Sequence, residues 1–391
     1  MTESFPPPPT SAIDWNNVGF KVREVNGHIE STFSYSKGGK WSTPKFVASP
    51  YLNIHGMAPG LNYGVQSFEG LKAFRHPSTS AHPNSITIFR PDQNAKRMAY
   101  SASYISCPAV PEDLFIECCK LAVGLNAEYV PSYESGAAMY VRPLIFASCA
   151  QLGLNPADKY TFVVFVMPTG VYHGIHAVDA LILEDFDRSA PEGTGSAKLG
   201  GNYAPVLRHS QRAYSEGYGI TLHLDSKTRS EIDEFSTSGF LGVKYTNKKD
   251  PTSHTTIVVP SSKNVIKSVT SDSVQQIARS LFSWTVENRR IPYEELSEFD
   301  EIIAAGTAAS LVPVRSISMK STGEKFWYTN DHENEEPGPV CLKLLTELKG
   351  IQMGKREDKL GWCSVVDRPD LSQVVLEGEK GAETKAVDQL P

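Results

Sequence analysis

Lys198 lies in Gly193-Thr194-Gly195-Ser196-Ala197-Lys198-Leu199-Gly200-Gly201-Asn202-Tyr203, where few neighbours carry a sizeable side chain. A solvated surface lysine needs no such company. Small residues on both sides let a flat ring lie close to the backbone. A lysine held there can lose its proton and become an amine nucleophile toward a carbonyl, the chemistry of a Schiff base. Gly-Gly-Asn is by itself an ordinary turn signal, so the lysine gains meaning only from what else the chain carries.

A lysine linked to pyridoxal phosphate makes three further demands. The ring nitrogen needs a carboxylate that keeps it protonated, so that the ring can draw electrons from a substrate carbanion. Glu231-Ile232-Asp233-Glu234-Phe235-Ser236-Thr237-Ser238-Gly239-Phe240 offers an acidic cluster running straight into an apolar strand. The phosphate needs backbone N–H groups and a cation. Val269-Thr270-Ser271-Asp272 opens a helix and can present such groups, although an ordinary N-cap explains it equally well. The substrate carboxylate needs donors of its own. Gly306-Thr307-Ala308-Ala309 follows an apolar strand and reads either as a second N–H cradle or as a tight turn.

The elements that must position these groups follow from length and pattern. A chain of 391 residues is most simply two domains. After a Pro-rich leader over 1–12, a small N-terminal α/β domain is expected over 13–166. It carries an early hairpin near Ile29–Ser36, a strand at Ser85–Arg90, helices opening at Pro91 and Pro111, and buried strands at Ala138–Phe146 and Tyr160–Val166. A linker over 167–178 leads to a larger domain over 179–376. Strand density there predicts a barrel-like β core, with helices at about 202–216, 271–285 and 338–349. Residues 377–391 read as a loose polar tail.

A net charge of -6 with no basic stripe argues against nucleic acid and anionic membrane surfaces, and no apolar run approaches bilayer length. Six cysteines without a CxxC pair fit a reduced, cytoplasmic compartment. The first ten residues lack the features of a signal or transit peptide. His173-Gly174-Ile175-His176 is the one close histidine pair, and no third ligand accompanies it, so no metal is expected.

Taken together, these segments resemble the branched-chain amino-acid aminotransferases, within the class IV, fold type IV pyridoxal-phosphate enzymes. Six ordered motifs between about Trp41 and Val366 carry the resemblance. They are Tyr63…Phe68-Glu69-Gly70, Phe89-Arg90-Pro91…Arg97-Met98, Tyr140-Val141-Arg142-Pro143, Gly195-x-x-Lys198-x-Gly200-Gly201-Asn202-Tyr203, Glu234-x-x-Thr237 and Gly306-Thr307-Ala308. The resemblance implies a mixed α+β fold and pyridoxal 5'-phosphate as cofactor, with Lys198 as the Schiff-base lysine and proton shuttle. Glu234 is implied as the ring-nitrogen partner, and Tyr203 as the residue near the cofactor's phenolic oxygen. Arg97, with the backbone at Val269, Thr270 and Thr307, is implied as the phosphate cup. Tyr63, Phe68 and Tyr140 resemble the aromatic walls of the substrate pocket, and Thr237 lies in the Glu234 motif beside them. Arg142 resembles the arginine that meets glutamate's distal carboxylate, and the Thr307-Ala308 amides take the α-carboxylate. A homodimer is implied on the same ground.

Two places depart from the family's pattern. Ser236 stands for a glycine and Gly239 for an asparagine after Glu234. Lys267-Ser268-Val269-Thr270-Ser271 replaces the usual Pro-Gly-(Ile/Val)-Thr-Arg. These changes bear on substrate identity more than on cofactor. Transamination between a hydrophobic L-amino acid and 2-oxoglutarate is the expected activity. A class IV aminotransferase with another donor or acceptor, or a cofactor-free scaffold on this fold, are the alternatives. The redox CxxC of some relatives is absent, Ala309-Ser310-Leu311-Val312 occupying that region.

Overall fold

The structure, a computed structural model, describes residues 4–15, 17–78, 84–170, 176–329, 333 and 335–377. Two sheets dominate it. The first has ten strands in the order Cys363–Val366, Ser85–Phe89, Leu71–His76, Ala138–Ala147, Lys159–Thr169, His28–Ser34, Lys45–Val47 and Val375–Glu377. Lys40–Trp41 is added beside His28–Ser34, and Gln66–Phe68 beside Ala138–Ala147. The expected hairpin forms, with Phe33 opposite Trp41. Two strands from the end of the chain return to this sheet, so it is not built from the first half alone.

Period-two alternation sorts the faces of the first sheet. Met139, Val141 and Ile145 point into a core with Ile86, Ile88 and Phe162, covered by the helices Pro91–Ser103 and Glu112–Gly124 through Met98 and Phe115. Tyr140, Arg142 and Leu144 alternate with them and so face the other way. Cross-strand pairing puts Lys72 beside Tyr140, and Phe68 beside Leu144, on that second face. The site is built there.

The second sheet has nine strands and curls into a half-barrel. Its order is Ile232–Phe235, Ile220–Leu224, Val178–Ile182, Ser310–Met319, Glu301–Gly306, Gly239–Tyr245, Thr255–Pro260 and Thr285–Arg289, with Glu324–Trp327 beside Ser310–Met319. One face packs on the helices Val269–Ser280 and Pro339–Gln352 through Leu241, Val243, Ile257 and Ile303. The other buries Phe235, Phe240, Phe299, Val314 and Ile317. Glu301 caps the Pro339–Gln352 helix, accepting from the N–H groups of Val340 and Cys341 at 2.8 and 2.9 Å. A carboxylate at a helix start satisfies donors that have no intrahelical acceptor.

The expected helix at 202–216 is present in three pieces, Gly200–Tyr203, Ala204–Val206 and Leu207–Ser215. Pro205 lacks an N–H and interrupts the regular bonding. His173 and most of the 377–391 tail lie outside the described residues, as does part of the linker segment. Among the described residues no cluster of metal-ligating side chains occurs, and no helix is long and apolar enough to cross a membrane.

Candidate active site

Backbone contacts fix Lys198 before its side chain is considered. Its N–H donates to Ser101 Oγ at 2.8 Å. Its carbonyl accepts from Phe68 N at 3.2 Å and Ser67 Oγ at 3.1 Å. The lysine loop is thereby bolted to the first sheet and to the Pro91–Ser103 helix. Asn202 closes the turn from the other side, its side-chain amide donating to the carbonyls of Thr194 and Ala197 at 2.7 and 2.9 Å. That is what an asparagine adds to Gly-Gly-Asn. The single turn Gly200–Tyr203 then returns Tyr203 to the lysine, and Nζ donates to its hydroxyl at 3.0 Å. Nζ also stands 4.7 Å from the Phe68 ring centre and 5.0 Å from that of Tyr203.

Glu234 sits buried on the strand Ile232–Phe235. Arg188 Nη1 donates to its Oε1 at 2.5 Å and Ile266 N to the same oxygen at 3.4 Å. Both bonds fall on Oε1, which leaves Oε2 to meet a ring N–H. Burial pushes the carboxyl up to about 7, against the opposing pull of the Arg188 charge. Arg188 is itself buried, and its Nε has no partner. Sequence reasoning missed Arg188, because Asp187-Arg188-Ser189 reads as an ordinary polar loop.

Ser236, one of the departures, joins a buried network behind Glu234. Its hydroxyl lies 2.8 Å from His223 Nε2 and within hydrogen-bonding reach of Thr221 Oγ1. Burial, with the Arg188 charge second, pushes His223 down to about 3, so the imidazole is neutral. The other departures pack against one another: a Cβ on Gly239 would stand 3.5 Å from both Ser268 Cβ and Ser271 Cβ.

Arg97 approaches from the opposite side. Nε and Nη2 grip the two oxygens of Glu69, each at 2.7 Å, and Nη1 donates to the Lys267 carbonyl at 3.0 Å. The Lys267 contact draws Arg97 to the start of the Val269–Ser280 helix. Val269 and Thr270 occupy its first turn, whose N–H groups have no intrahelical acceptor. Ser101, one turn on from Arg97 at i+4, shares its helical face, a spacing that could have flagged it.

Arg97, Arg188, Lys198, Tyr203, Glu234, Thr237, Gly306 and Thr307 line one cavity of about 50 Å³. Arg142 is exposed, but its guanidinium stands 5.3 Å from the Phe68 ring centre and 5.1 Å from that of Tyr140, and Nη2 donates to the Tyr140 hydroxyl at 3.1 Å. Gly70 makes room for this, since a Cβ there would come within 2.1 Å of the Tyr140 hydroxyl. Ala308 lies on an adjoining cavity, its carbonyl accepting from Lys72 Nζ at 2.7 Å. Tyr63 is not brought to this group within the chain. It is exposed, and its hydroxyl donates to the Leu152 carbonyl at 2.7 Å, beside Ile105 and Leu154.

The donor set fits pyridoxal phosphate. Lys198 can take the aldehyde and Glu234 Oε2 the ring nitrogen. Arg97 and the first turn of the Val269–Ser280 helix can take the phosphate. Tyr203 stands beside the amine.

A family model described as amino-transferase class IV matches residues 68–317. The chain is 51% identical to the transaminase htyB of Aspergillus rugulosus, over 94% of this chain and 97% of that protein. It is 46% identical to the branched-chain amino acid aminotransferase gloG of Glarea lozoyensis, over 94% of this chain and all of that protein (100%). Among solved structures, the Escherichia coli branched-chain amino acid aminotransferase superposes with a TM-score of 0.69 over 88% of this chain and 100% of that one. At 23% identity, that likeness speaks for the fold.

Proposed function

The chain belongs to the class IV aminotransferases, enzymes that use pyridoxal 5'-phosphate, and from that premise we propose that it transfers the amino group of a branched-chain or similar hydrophobic L-amino acid to 2-oxoglutarate. The observation that carries the substrate reading is Arg142 lying over Phe68 and Tyr140 next to Lys198. An arginine inside an aromatic wall receives glutamate's distal carboxylate, and the same rings receive an aliphatic side chain.

The bound cofactor supplies an electron-withdrawing ring that makes the Cα proton of the amino acid removable. Everything else is the work of this chain. Lys198 Nζ, held by the Tyr203 hydroxyl, carries the proton on and off Cα. Glu234, backed by Arg188, holds a proton at the ring nitrogen. Arg97 and the Val269 and Thr270 amides anchor the phosphate, while Thr307 and Ala308 receive the substrate's α-carboxylate.

A second reading, an amino donor of unusual size, is supported by Gly239 and Ser271, which stand where the family usually has an asparagine and an arginine. We also propose a homodimer in the reducing cytoplasm. Six free cysteines support the compartment. Tyr63, exposed and apart from Lys198, supports a wall completed by a second copy.

Steady-state kinetics of Arg142→Ala test the substrate reading. We expect KM for glutamate to rise about tenfold or more, with that for leucine changing less than about threefold. Equal effects on both amino acids would refute the dual pocket.

A further inference from the structure

Beyond the Gly306–Ser310 turn lies a cavity of about 480 Å³, of which the transamination reading uses only the edge at Ala308. It continues along the face of the first sheet that carries Tyr140, because Lys72 is paired opposite Tyr140 and Phe74 lies two residues on. Thr237, Ser238 and Gly306 are walls common to this cavity and the one at Lys198. Phe74, Ile220, Leu311 and Leu345 make the remainder largely apolar.

The charges in it are of one sign. Lys72 and Lys349 both line it, and His176 at the rim is paired with Glu335 at 3.0 Å. No carboxylate lines it among the described residues. Lys72 donates to the Ala308 carbonyl, and Lys349 projects from the Pro339–Gln352 helix one turn before Gln352. Gln352 is buried, and its Oε1 has no partner. Rotating that amide presents NH₂ to the cavity instead. Burial, and then the Lys349 charge, pushes Lys72 down to about 7. Lys349 is pushed down as well, by burial and then by Lys355. Two ammonium groups without a counter-charge in an apolar cavity are costly, and an anion between them removes that cost.

We propose that this cavity binds a carboxylate carried on an apolar chain, with the carboxylate between Lys72 and Lys349 and the chain against Phe74, Ile220, Leu311 and Leu345. The inference goes beyond the transamination reading and does not depend on it. Two sources share the chemistry: the far carboxylate of an extended substrate whose other end reacts at Lys198, and a separate molecule of acid.

Isothermal titration of the holoenzyme at pH 7.5 tests this, with octanoate as probe, octanamide as its neutral counterpart, and two buffers of different ionisation enthalpy. Octanoate should bind saturably with net proton uptake, and octanamide about tenfold more weakly or worse. Lys349→Met should lose about tenfold in octanoate affinity with the bound-cofactor spectrum unchanged, whereas Lys349→Arg keeps most of it. Octanoate binding abolished by saturating leucine assigns the site to the far end of a substrate, and binding that persists assigns it to a second acid. Equal affinity for octanoate and octanamide, no saturable binding, or wild-type affinity in Lys349→Met would overturn the proposal. A cofactor band indifferent to amino acids, with octanoate binding intact, would sink the transamination reading and leave this one standing.

Discussion

Glu69 and Glu234 are both buried glutamates facing a buried arginine, yet they differ in spare hydrogen-bonding capacity. Glu69 has no oxygen without a partner. It takes Nε and Nη2 of Arg97 on its two oxygens, and the Asn94 side chain at 2.7 Å and Gly70 N at 3.2 Å on Oε2. Glu234 meets Arg188 and Ile266 N through Oε1 alone. In the first pair the glutamate is spent on aiming the arginine; in the second the arginine is spent on aiming the glutamate. A buried ion pair is weak evidence of function by itself. The member left with an open atom is the one that can serve a ligand.

Glu234→Gln strikes the open atom and should have the largest effect. We expect the amino-acid half-reaction to slow by about 10²-fold or more, read by stopped-flow absorbance; an unchanged rate would remove Glu234 from the ring-nitrogen role. The same variant has a pH signature in the cofactor-free protein. Because the folded carboxyl is raised to about 7 from 4.5, its contribution to stability is complete below about pH 4.5 and is lost as pH rises through about 7. Wild-type apoprotein should therefore lose stability relative to Glu234→Gln between pH 5 and 8. Denaturant melts showing parallel pH dependence would contradict the shift.

Glu69→Gln strikes the saturated member and should act on stability. It leaves the Arg97 charge buried without its partner, at a cost of about 3–5 kcal/mol, and should weaken cofactor retention as Arg97 loses its aim. If unfolding midpoints stay within about 0.5 kcal/mol of wild type, the pair is not the support described. Ser236→Gly, behind the Glu234 pair, should be the mildest. Losing the hydroxyl partner of His223 should cost about 1–2 kcal/mol, with turnover changed less than about tenfold. A hundredfold drop would place Ser236 in the chemistry itself.

Much of this was readable from residues. The lysine run, the acid cluster at Glu234, and the strands at Ala138–Phe146 and Tyr160–Val166 each carry a local pattern, and the two strands form as expected, within Ala138–Ala147 and Lys159–Thr169. The strand Ser310–Met319 was not read, because Pro313 interrupts its apolar run and a proline inside such a run argues against a ladder position. Arg188 and Lys349 left no signal either. Each acquires its role from a partner distant in sequence, Glu234 for one and Lys72 for the other, and no periodicity encodes a meeting of a loop and a strand or of a helix and a strand. Tyr63 shows the converse. Its motif is legible, but within the chain its hydroxyl is spent on Leu152.

The most direct test of the central claim is the ultraviolet–visible spectrum of the purified protein with pyridoxal phosphate, titrated with leucine and then with glutamate. The account predicts a yellow protein whose visible band shifts to the amino form of the cofactor with either amino acid, and shifts back with 2-oxoglutarate. A protein that stays colourless, or a band that neither amino acid moves, would contradict it.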